Sequence, residues 1–501
     1  NYNFLNSLDL EEGVLNGLSR HLDSIVRGDE TILTSPIVSS HSPDYLLEEW
    51  DKVFSSNSSI MSVDLQSLEA SNRSKFGPRS RAIPWVERRS SVLDYFSGES
   101  SQLDGDLNSL MLGLALHRLR PLSNDKAIKF LKSSTNSGLP FFTRKGSVKD
   151  NYSENLSELL NLRDRNDPCV MFTRTQESYK TRTVWGYPIA DVLGETRFYR
   201  PLLDYQKKLT WRSSLSGPDL TNRKITDIIL NSISFNQKLV SLDFSSYDST
   251  VRSSLQKVSF DYINSLFQSQ FIPELNYIAL RFNTIGLVTP DGVLIGKHGV
   301  PSGSTFTNEV DSIAQYLIAR SIGLTADQFD IQGDDGAYRT NEPDKLKECL
   351  MSFGLKVNDD KSFVRSGSLV YLQNLYDVKH IKNGLIGGIY PTYRALNRII
   401  YPERYNDFIK DEISGSDYFS IRTIAILENC KHHPLFYEFV RFVHKFDKYK
   451  LNYSEYGLSN YIKRITKSKG SEGIIFNQYS DNIAGLNNFE TVKIIRELNL
   501  G

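Results

Sequence analysis

The sequence predicts an α+β fold, and three features carry that expectation. Short apolar runs bounded by turn residues, such as Val240 to Phe244 and Phe329 to Tyr338, alternate with segments whose apolar positions recur at helical spacing. Beyond about residue 385 the pattern becomes mainly helical. The chain has 501 residues, 39% of them hydrophobic, which is enough for a sizeable core and more than one domain.

Composition narrows the function classes. The 59 basic and 59 acidic residues cancel to a formal net charge of zero, so any nucleic-acid path must come from local clustering. Cys169, Cys349 and Cys430 are far apart and form no CxxC pair, which argues against a zinc site or a disulfide framework and fits a reducing compartment. The run Leu110 to Leu116 is far too short to span a bilayer and reads as a buried helix, so no membrane partner is expected. No secretory-type segment stands at the N-terminus, and no repeat suggests a solenoid or propeller.

The elements follow in order. The first 70 residues form an extension, with a serine-heavy stretch from Ser55 to Ser59 that reads as loop. Next, Arg73, Lys75, Arg79, Arg81, Arg88 and Arg89 stand against the single acid Glu87, with Trp85 among them. This is a candidate phosphate-facing surface, and its plain alternative is a solvated charged face. Val240 to Phe244 reads as a buried strand, and Val251, Leu255, Val258 and Tyr262 follow at helical spacing. A strand therefore delivers Asp243 and a helix start delivers Asp248.

Phe329 to Tyr338 reads as strand, tight turn, strand, with Gly333 and Gly336 supplying positive φ angles around Asp334 and Asp335. Leu346, Cys349, Leu350 and Phe353 form one helix face that Gly354 ends, and a short strand from Leu355 to Val357 leads into Asn358-Asp359-Asp360-Lys361. Leu435, Phe436, Phe439, Val440, Val443 and Phe446 make an apolar stripe of core, and Lys467 to Asn488 reads as a long loop.

A lone Gly-Asp-Asp is most simply an acidic hairpin. The segment Ser241-Leu-Asp243-Phe-Ser-Ser-Tyr-Asp248 changes that reading, because it supplies a second strand-end aspartate that a sheet can bring beside Asp334. Phosphoryl transfer from a nucleoside triphosphate needs charge stabilised on the attacking and leaving oxygens, which two cations roughly 4 Å apart provide. Hard cations such as magnesium favour carboxylate oxygens and water. Between the acids, Gly299 to Asn308 is a loop of small residues leading into a helix through Val310, Ile313 and Tyr316. Its glycines allow close approach of a nucleic-acid strand, although alone it reads as well as a phosphate-binding turn or a helix cap.

In this order the three segments resemble the palm motifs of viral RNA-dependent RNA polymerases, conventionally lettered A, B and C. Asp243 with Asp248 fits DxxxxD, Gly299 to Asn308 fits a GxPSGxxxTxxxN-like pattern through PSGSTFTN, and Gly333-Asp334-Asp335 fits GDD. Arg174, Lys180 and Arg182, followed by Val184-Trp-Gly-Tyr-Pro188, resemble the basic fingers motif, and Thr135-Asn-Ser-Gly138-Leu-Pro140 resembles the motif at the mouth of the template channel. Lys361 is similar to the motif D lysine, and Val370 to Tyr376 to the hairpin after it. The stretches TVWGYP, DFSSYDSTV and GVPSGSTFTN are most similar to polymerases of picobirnaviruses and partitiviruses, small double-stranded RNA viruses, and chain length leans to the former.

The resemblance implies a right-hand polymerase of fingers, palm and thumb, with an antiparallel-sheet palm and a mainly helical thumb. Its parts fall at 1–80 for an N-terminal extension bridging fingers and thumb, 81–235 for fingers with part of the palm after about 190, and 236–253 for palm. An insertion at 254–295, further palm at 296–385, and a thumb with C-terminal loop at 386–501 complete it.

The implied activity is template-directed RNA synthesis that replicates and transcribes a viral RNA genome. Asp243 and Asp334 would hold magnesium, with manganese as substitute, Asp335 would assist, and Lys361 would serve as general acid for the leaving pyrophosphate. Asp248 and Asn308, with Ser302 close by, would read the ribose 2'-hydroxyl. Arg174, Lys180 and Arg182 would neutralise the triphosphate. Ser137, Gly138, Pro140, Gly303 and Thr307 would contact the template.

The implied partners are template and nascent RNA, ribonucleoside triphosphates and a viral capsid protein, with the work done in the virion interior and the host cytoplasm. The C-terminal loop is expected to reach toward the active cavity. Two other readings stand beside this one. A reverse-transcriptase-like palm polymerase would share the metal aspartates, but Asp248 and Asn308 argue against it. In a non-catalytic RNA-binding, capsid-associated protein the acids would be structural.

Overall fold

The computed structural model describes residues 1–97, 104–112, 116–469 and 483–501. Among them the strands are β1 (Cys169–Thr175), β2 (Thr181–Gly186), β3 (Lys238–Leu242), β4 (Leu287–Thr289), β5 (Gly292–Leu294), β6 (Phe329–Gln332), β7 (Asp335–Thr340), β8 (Phe363–Arg365), β9 (Ser368–Tyr371) and β10 (Asn374–Asp377). They form sheets of order β2-β1-β4-β5, β10-β9 and β6-β7-β3-β8.

The last of these organises the molecule, and each of its neighbouring pairs is antiparallel. Alternation along β3 explains its central place. Val240 and Leu242 point into a core shared with the helices Ser253–Leu266 and Thr307–Ser321, whereas Leu239 points the other way, onto Ile225, Ile228 and Ile229 of the helix Pro218–Ser234. β7 repeats the pattern with Tyr338 on the first face and Ala337 on the second.

The N-terminal segment divides between two further cores. Leu18, Leu22 and Ile25 of the helix Glu12–Arg27 pack with Trp85 and β1, whereas Leu46, Trp50 and Leu65 join the C-terminal helices through Tyr393, Ile424 and Phe439. Buried polar bonds fix the second contact. The Trp50 indole donates to Thr392 Oγ1 at 3.0 Å, and the buried Glu69 accepts from the Tyr393 amide at 3.2 Å with His433 Nε2 at 3.0 Å. The C-terminal stripe is the helix Phe436–Phe446, and Phe439, Val440 and Val443 are fully buried.

Several sequence expectations are corrected. Ser55 and Ser56 close the helix Pro43–Ser56, and Ser58–Ile60 forms a 3₁₀ turn, so that stretch is not a loop. The basic run from Arg73 to Arg89 is no single phosphate-facing surface, because packing gives most of its cations separate partners. Arg73 pairs with Asp51, Arg79 with Glu177, Arg89 with Asp291, and the buried Arg88 donates to Thr173 and Thr183 under the β1–β2 hairpin.

Leu110 ends a 3₁₀ turn over Leu107–Leu110 rather than starting a helix, and 113–115 lie outside the described residues. Leu355 to Val357 forms no strand and contributes one bridge, Phe244 to Val357. Of the expected loop from Lys467 to Asn488, the first residues continue the helix Glu455–Lys469 and Ile483–Asn488 is a 3₁₀ helix. Its reach toward the active cavity concerns 470–482, which lie outside the described residues. Among the described residues no helix is long and apolar enough to cross a membrane.

Candidate active site

The register of β3 against β7 builds the acidic centre. Leu242 faces Gly336, so Asp243, the next residue, comes opposite Asp335 at the hairpin end. Gln332 pairs with Asp335, and Gly333-Asp334 forms the two-residue turn with Gly333 at φ 61°. The helix Thr307–Ser321 pins this turn, because Ser312 Oγ accepts from the Gly333 amide at 2.7 Å and Gln315 Nε2 donates to the Gly333 carbonyl at 3.1 Å. Gly336 is needed for space rather than for a positive φ. A Cβ there would lie 2.0 Å from Gln315 Oε1 and 2.6 Å from the Tyr338 ring.

Burial, more than missing countercharge, sets the electrostatics of this centre. Burial, with Asp334 and Asp243, pushes Asp335 well above the usual carboxylate range. Asp334 opens to the cleft, yet the protein walls around it and the nearby Asp248 raise its pKa, opposed by Arg182. Burial also raises Asp243, against Lys361, Lys180 and Lys75. The loop that carries Lys361 is tied to the strand end. The Asp243 amide donates to Ser362 Oγ at 3.0 Å, and the Asn358 amide donates to the Asp243 carbonyl at 2.8 Å.

A second cluster adjoins the acids. The Ser302 hydroxyl donates to Asp248 Oδ2 and lies 3.2 Å from the Tyr95 hydroxyl. Backbone contact holds the Ser302 loop in place. The Val300 amide donates to the Asp248 carbonyl at 2.8 Å, the Trp185 amide donates to the Ser302 carbonyl at 2.9 Å, and a Cβ at Gly303 would meet the Trp185 carbonyl oxygen at 2.0 Å. Below the loop, the buried Glu195 accepts from Ser304 Oγ at 2.6 Å, and burial pushes its carboxyl up to about 8.

Asp248 also hydrogen-bonds the fully buried carboxyl of Asp311, which burial drives far up with Asp248 and Asp334 adding to the effect. Asn308 is occupied elsewhere, its Oδ1 accepting from the buried Arg212 at 3.0 Å.

Comparison with known proteins decides the family. The pattern describing viral RNA-dependent RNA polymerases matches residues 94–383. The chain belongs to that family. It is 26% identical over 474 residues to the potential RNA-dependent RNA polymerase of a human picobirnavirus, covering 87% of this chain and 86% of that one. It is 24% identical over 279 residues to the RNA-directed RNA polymerase of Cryptosporidium parvum virus 1, covering 49% of this chain and 52% of that one. A crystal structure of a human picobirnavirus RNA-dependent RNA polymerase superposes with a TM-score of 0.81 at 24% identity, covering 98% of this chain and 99% of that one. The fold is therefore the right-hand polymerase fold, and the enzyme synthesises RNA from ribonucleoside triphosphates on an RNA template. Polymerases of this family use divalent metal ions.

The polymerase brings Asp243, Asp334, Asp335, Lys180, Arg182 and Lys361 to one centre, and Asp248 and Ser302 to its flank. Arg174 stands apart, its Nε 3.3 Å from Glu403. Thr307 turns its hydroxyl inward, donating to the Pro301 carbonyl at 2.9 Å, while Gly303 is exposed on the loop. Ser137 is buried and its Oγ accepts from the Thr143 amide at 3.1 Å, so this side chain shapes its loop rather than facing solvent. Gly138 is buried at φ 63°, with no room for a Cβ beside the Tyr187 carbonyl, and Pro140 follows a cis peptide at the partly exposed end of the loop.

Two residues escaped the sequence reading. Asp311 is one: counted from Thr307, the last position of the TxxxN pattern falls on Asp311, not on Asn308. Tyr95 is the other and lies in no recognisable motif, whereas Lys75, expected within the basic run from Arg73 to Arg89, acts on Asp243.

Proposed function

We propose that Asp243 and Asp334, assisted by Asp335, hold two divalent ions, with magnesium the physiological ion and manganese a substitute. The observation that carries this reading is the β3–β7 register, which brings carboxylates at the ends of two strands together in a buried setting. Among the described residues no three His, Cys, Asp or Glu side chains converge as a finished metal cage. That suits magnesium, which keeps water and substrate phosphate oxygens in its shell. When bound, the ions stabilise charge on the attacking and leaving oxygens.

The chain's own groups do the rest. Arg182 and Lys180 face the acids from the β1–β2 hairpin and neutralise the triphosphate, with Arg174 at the outer edge of the approach. Lys361, held over Asp243 by its loop, donates a proton to the leaving pyrophosphate. Asp248, Ser302 and Asp311 bind the ribose 2'-hydroxyl, beside Asn308, whose Oδ1 accepts from Arg212. Gly303 and the exposed parts of the Thr135–Pro140 loop border the template. The same reading takes a viral capsid protein as partner and the virion interior and host cytoplasm as the place of work.

The decisive experiment compares wild type with Asp334→Asn for metal-dependent incorporation of labelled ribonucleotides on single-stranded RNA. Synthesis should fall by about a thousandfold, equivalent to about 4 kcal/mol, with an unchanged melting profile. Equal synthesis by both proteins would refute the assignment of the acids.

A further inference from the structure

Away from the acids, an open cleft of about 70 Å³ lies between Leu33 of the N-terminal segment and the stretch from Pro402 to Arg422. Its walls are aromatic. Phe408 stacks on Tyr418 with ring centres 4.4 Å apart and planes at 10°, and Tyr405 beside them is 71% exposed. Arg404 is exposed on the cleft, Arg422 lines it with its guanidinium turned inward onto the Ile399 and Arg398 carbonyls, and none of the lining residues is acidic. Of the acids nearby in sequence, Glu403 pairs with Arg174 and Arg79, Asp411 pairs with Arg464 and Glu412 accepts from Tyr456, while the exposed Asp407 stands at the rim between Asn406 and Phe408.

A line of positive charge connects this cleft to the loop Thr135–Pro140. Lys145 donates from Nζ to Thr135 Oγ1 at 2.9 Å at the start of that loop. Burial lowers Lys145, and Lys132 adds to the effect, while Lys132 is itself lowered by burial and then by Arg404. Three cations thus stand close enough to repel one another from the loop to the cleft. Like charges held in a row match a string of phosphates.

We propose that this cleft holds one unpaired base of the single-stranded template outside the catalytic centre, with the phosphates of that strand following Lys145, Lys132 and Arg404. An exposed aromatic face beside arginines accepts any base by stacking, whereas a duplex keeps its base faces covered. A free nucleotide offers the same base and phosphate. The continuous line of cations favours the strand. The proposal rests on the polymerase reading only for which strand arrives there.

The test measures anisotropy of a labelled single-stranded RNA on the full chain with Tyr405→Ala and Arg404→Glu, and on Asp334→Asn as a binding-competent catalytic control. Each cleft variant should bind about tenfold more weakly, within what loss of one stacked base gives, and Arg404→Glu should also show a shallower salt dependence. Asp334→Asn should bind like wild type, which separates failure here from failure of the catalytic assignment. In parallel, RNAs carrying 4-thiouridine at successive positions should crosslink to the 402–422 peptide from one unpaired position on the 5' side of the templating base. Affinities within twofold of wild type, with no crosslink to that peptide, would overturn the proposal. So would displacement of the crosslink by millimolar GMP, which would make the cleft a mononucleotide site.

Discussion

Asp248, on the short helix Tyr247–Thr250, hydrogen-bonds the buried carboxyl of Asp311 on the helix Thr307–Ser321. Burial pushes the Asp311 carboxyl well above the usual carboxylate range, with Asp248 adding to the effect, which favours a proton on Asp311 directed at Asp248. An amide can donate from the same place. Asp311→Asn is therefore expected to retain the preference for ribonucleotides, whereas Asp311→Leu should lower it about tenfold by leaving Asp248 without its donor. The ratio of kcat/KM for CTP to that for dCTP checks this. Equal ratios in all three enzymes would remove Asp311 from ribose selection.

Lys75 brings a third lysine to Asp243 from the N-terminal extension, alongside Lys361 and Lys180. The Gly77 amide, which donates to Asn397 Oδ1 at 2.9 Å, helps hold this stretch in place. A cation there should bind the incoming triphosphate without taking part in bond making. Lys75→Gln should raise KM for nucleotides by roughly three- to tenfold with little change in kcat. Steady-state titration with CTP distinguishes this from Lys361→Gln, which should lower kcat.

The hairpin β6–β7 and the strand β3 were legible because apolar runs end on glycine and aspartate, and side-chain alternation then fixes which residues meet. The cluster around Asp248 was read only in part, since Asn308 is the nearest amide in the motif whereas helical spacing from Thr307 puts Asp311 on the inner face. Local pattern put Lys75 in a basic run but not beside Asp243. Its position follows from packing of the helix Val63–Arg73 on the helix Thr392–Ile400, which joins residues far apart in the chain. The same long-range packing divided the basic run Arg73 to Arg89 among separate acids.

Gly336 leaves the hairpin no tolerance for a side chain. Gln315 cannot swing away without losing its bonds to the Gly333 carbonyl at 3.1 Å and to the Tyr338 hydroxyl at 2.6 Å. Gly336→Ala should destabilise the fold by about 1–3 kcal/mol in urea unfolding and displace Asp335 enough to depress synthesis. Adding Gln315→Ala should recover part of the stability, a non-additivity expected of residues in contact. Strict additivity would show that the clash is absorbed elsewhere.

Glu195 makes stability depend on pH. Its folded pKa of about 8 lies above the unfolded value of about 4.3, so the native state holds a proton that the unfolded chain releases. The contribution is fully present below the unfolded pKa and is lost as pH rises toward 8, by at most about 1.4 kcal/mol per pH unit. Glu195→Gln keeps a neutral partner for Ser304 and Thr305 and removes this slope. Urea midpoints of the two proteins should agree near pH 5 and separate by pH 8, the variant being the more stable. A constant difference across that range would show that Glu195 is ionised in the folded enzyme and that the loop carrying Ser302 rests on a charge.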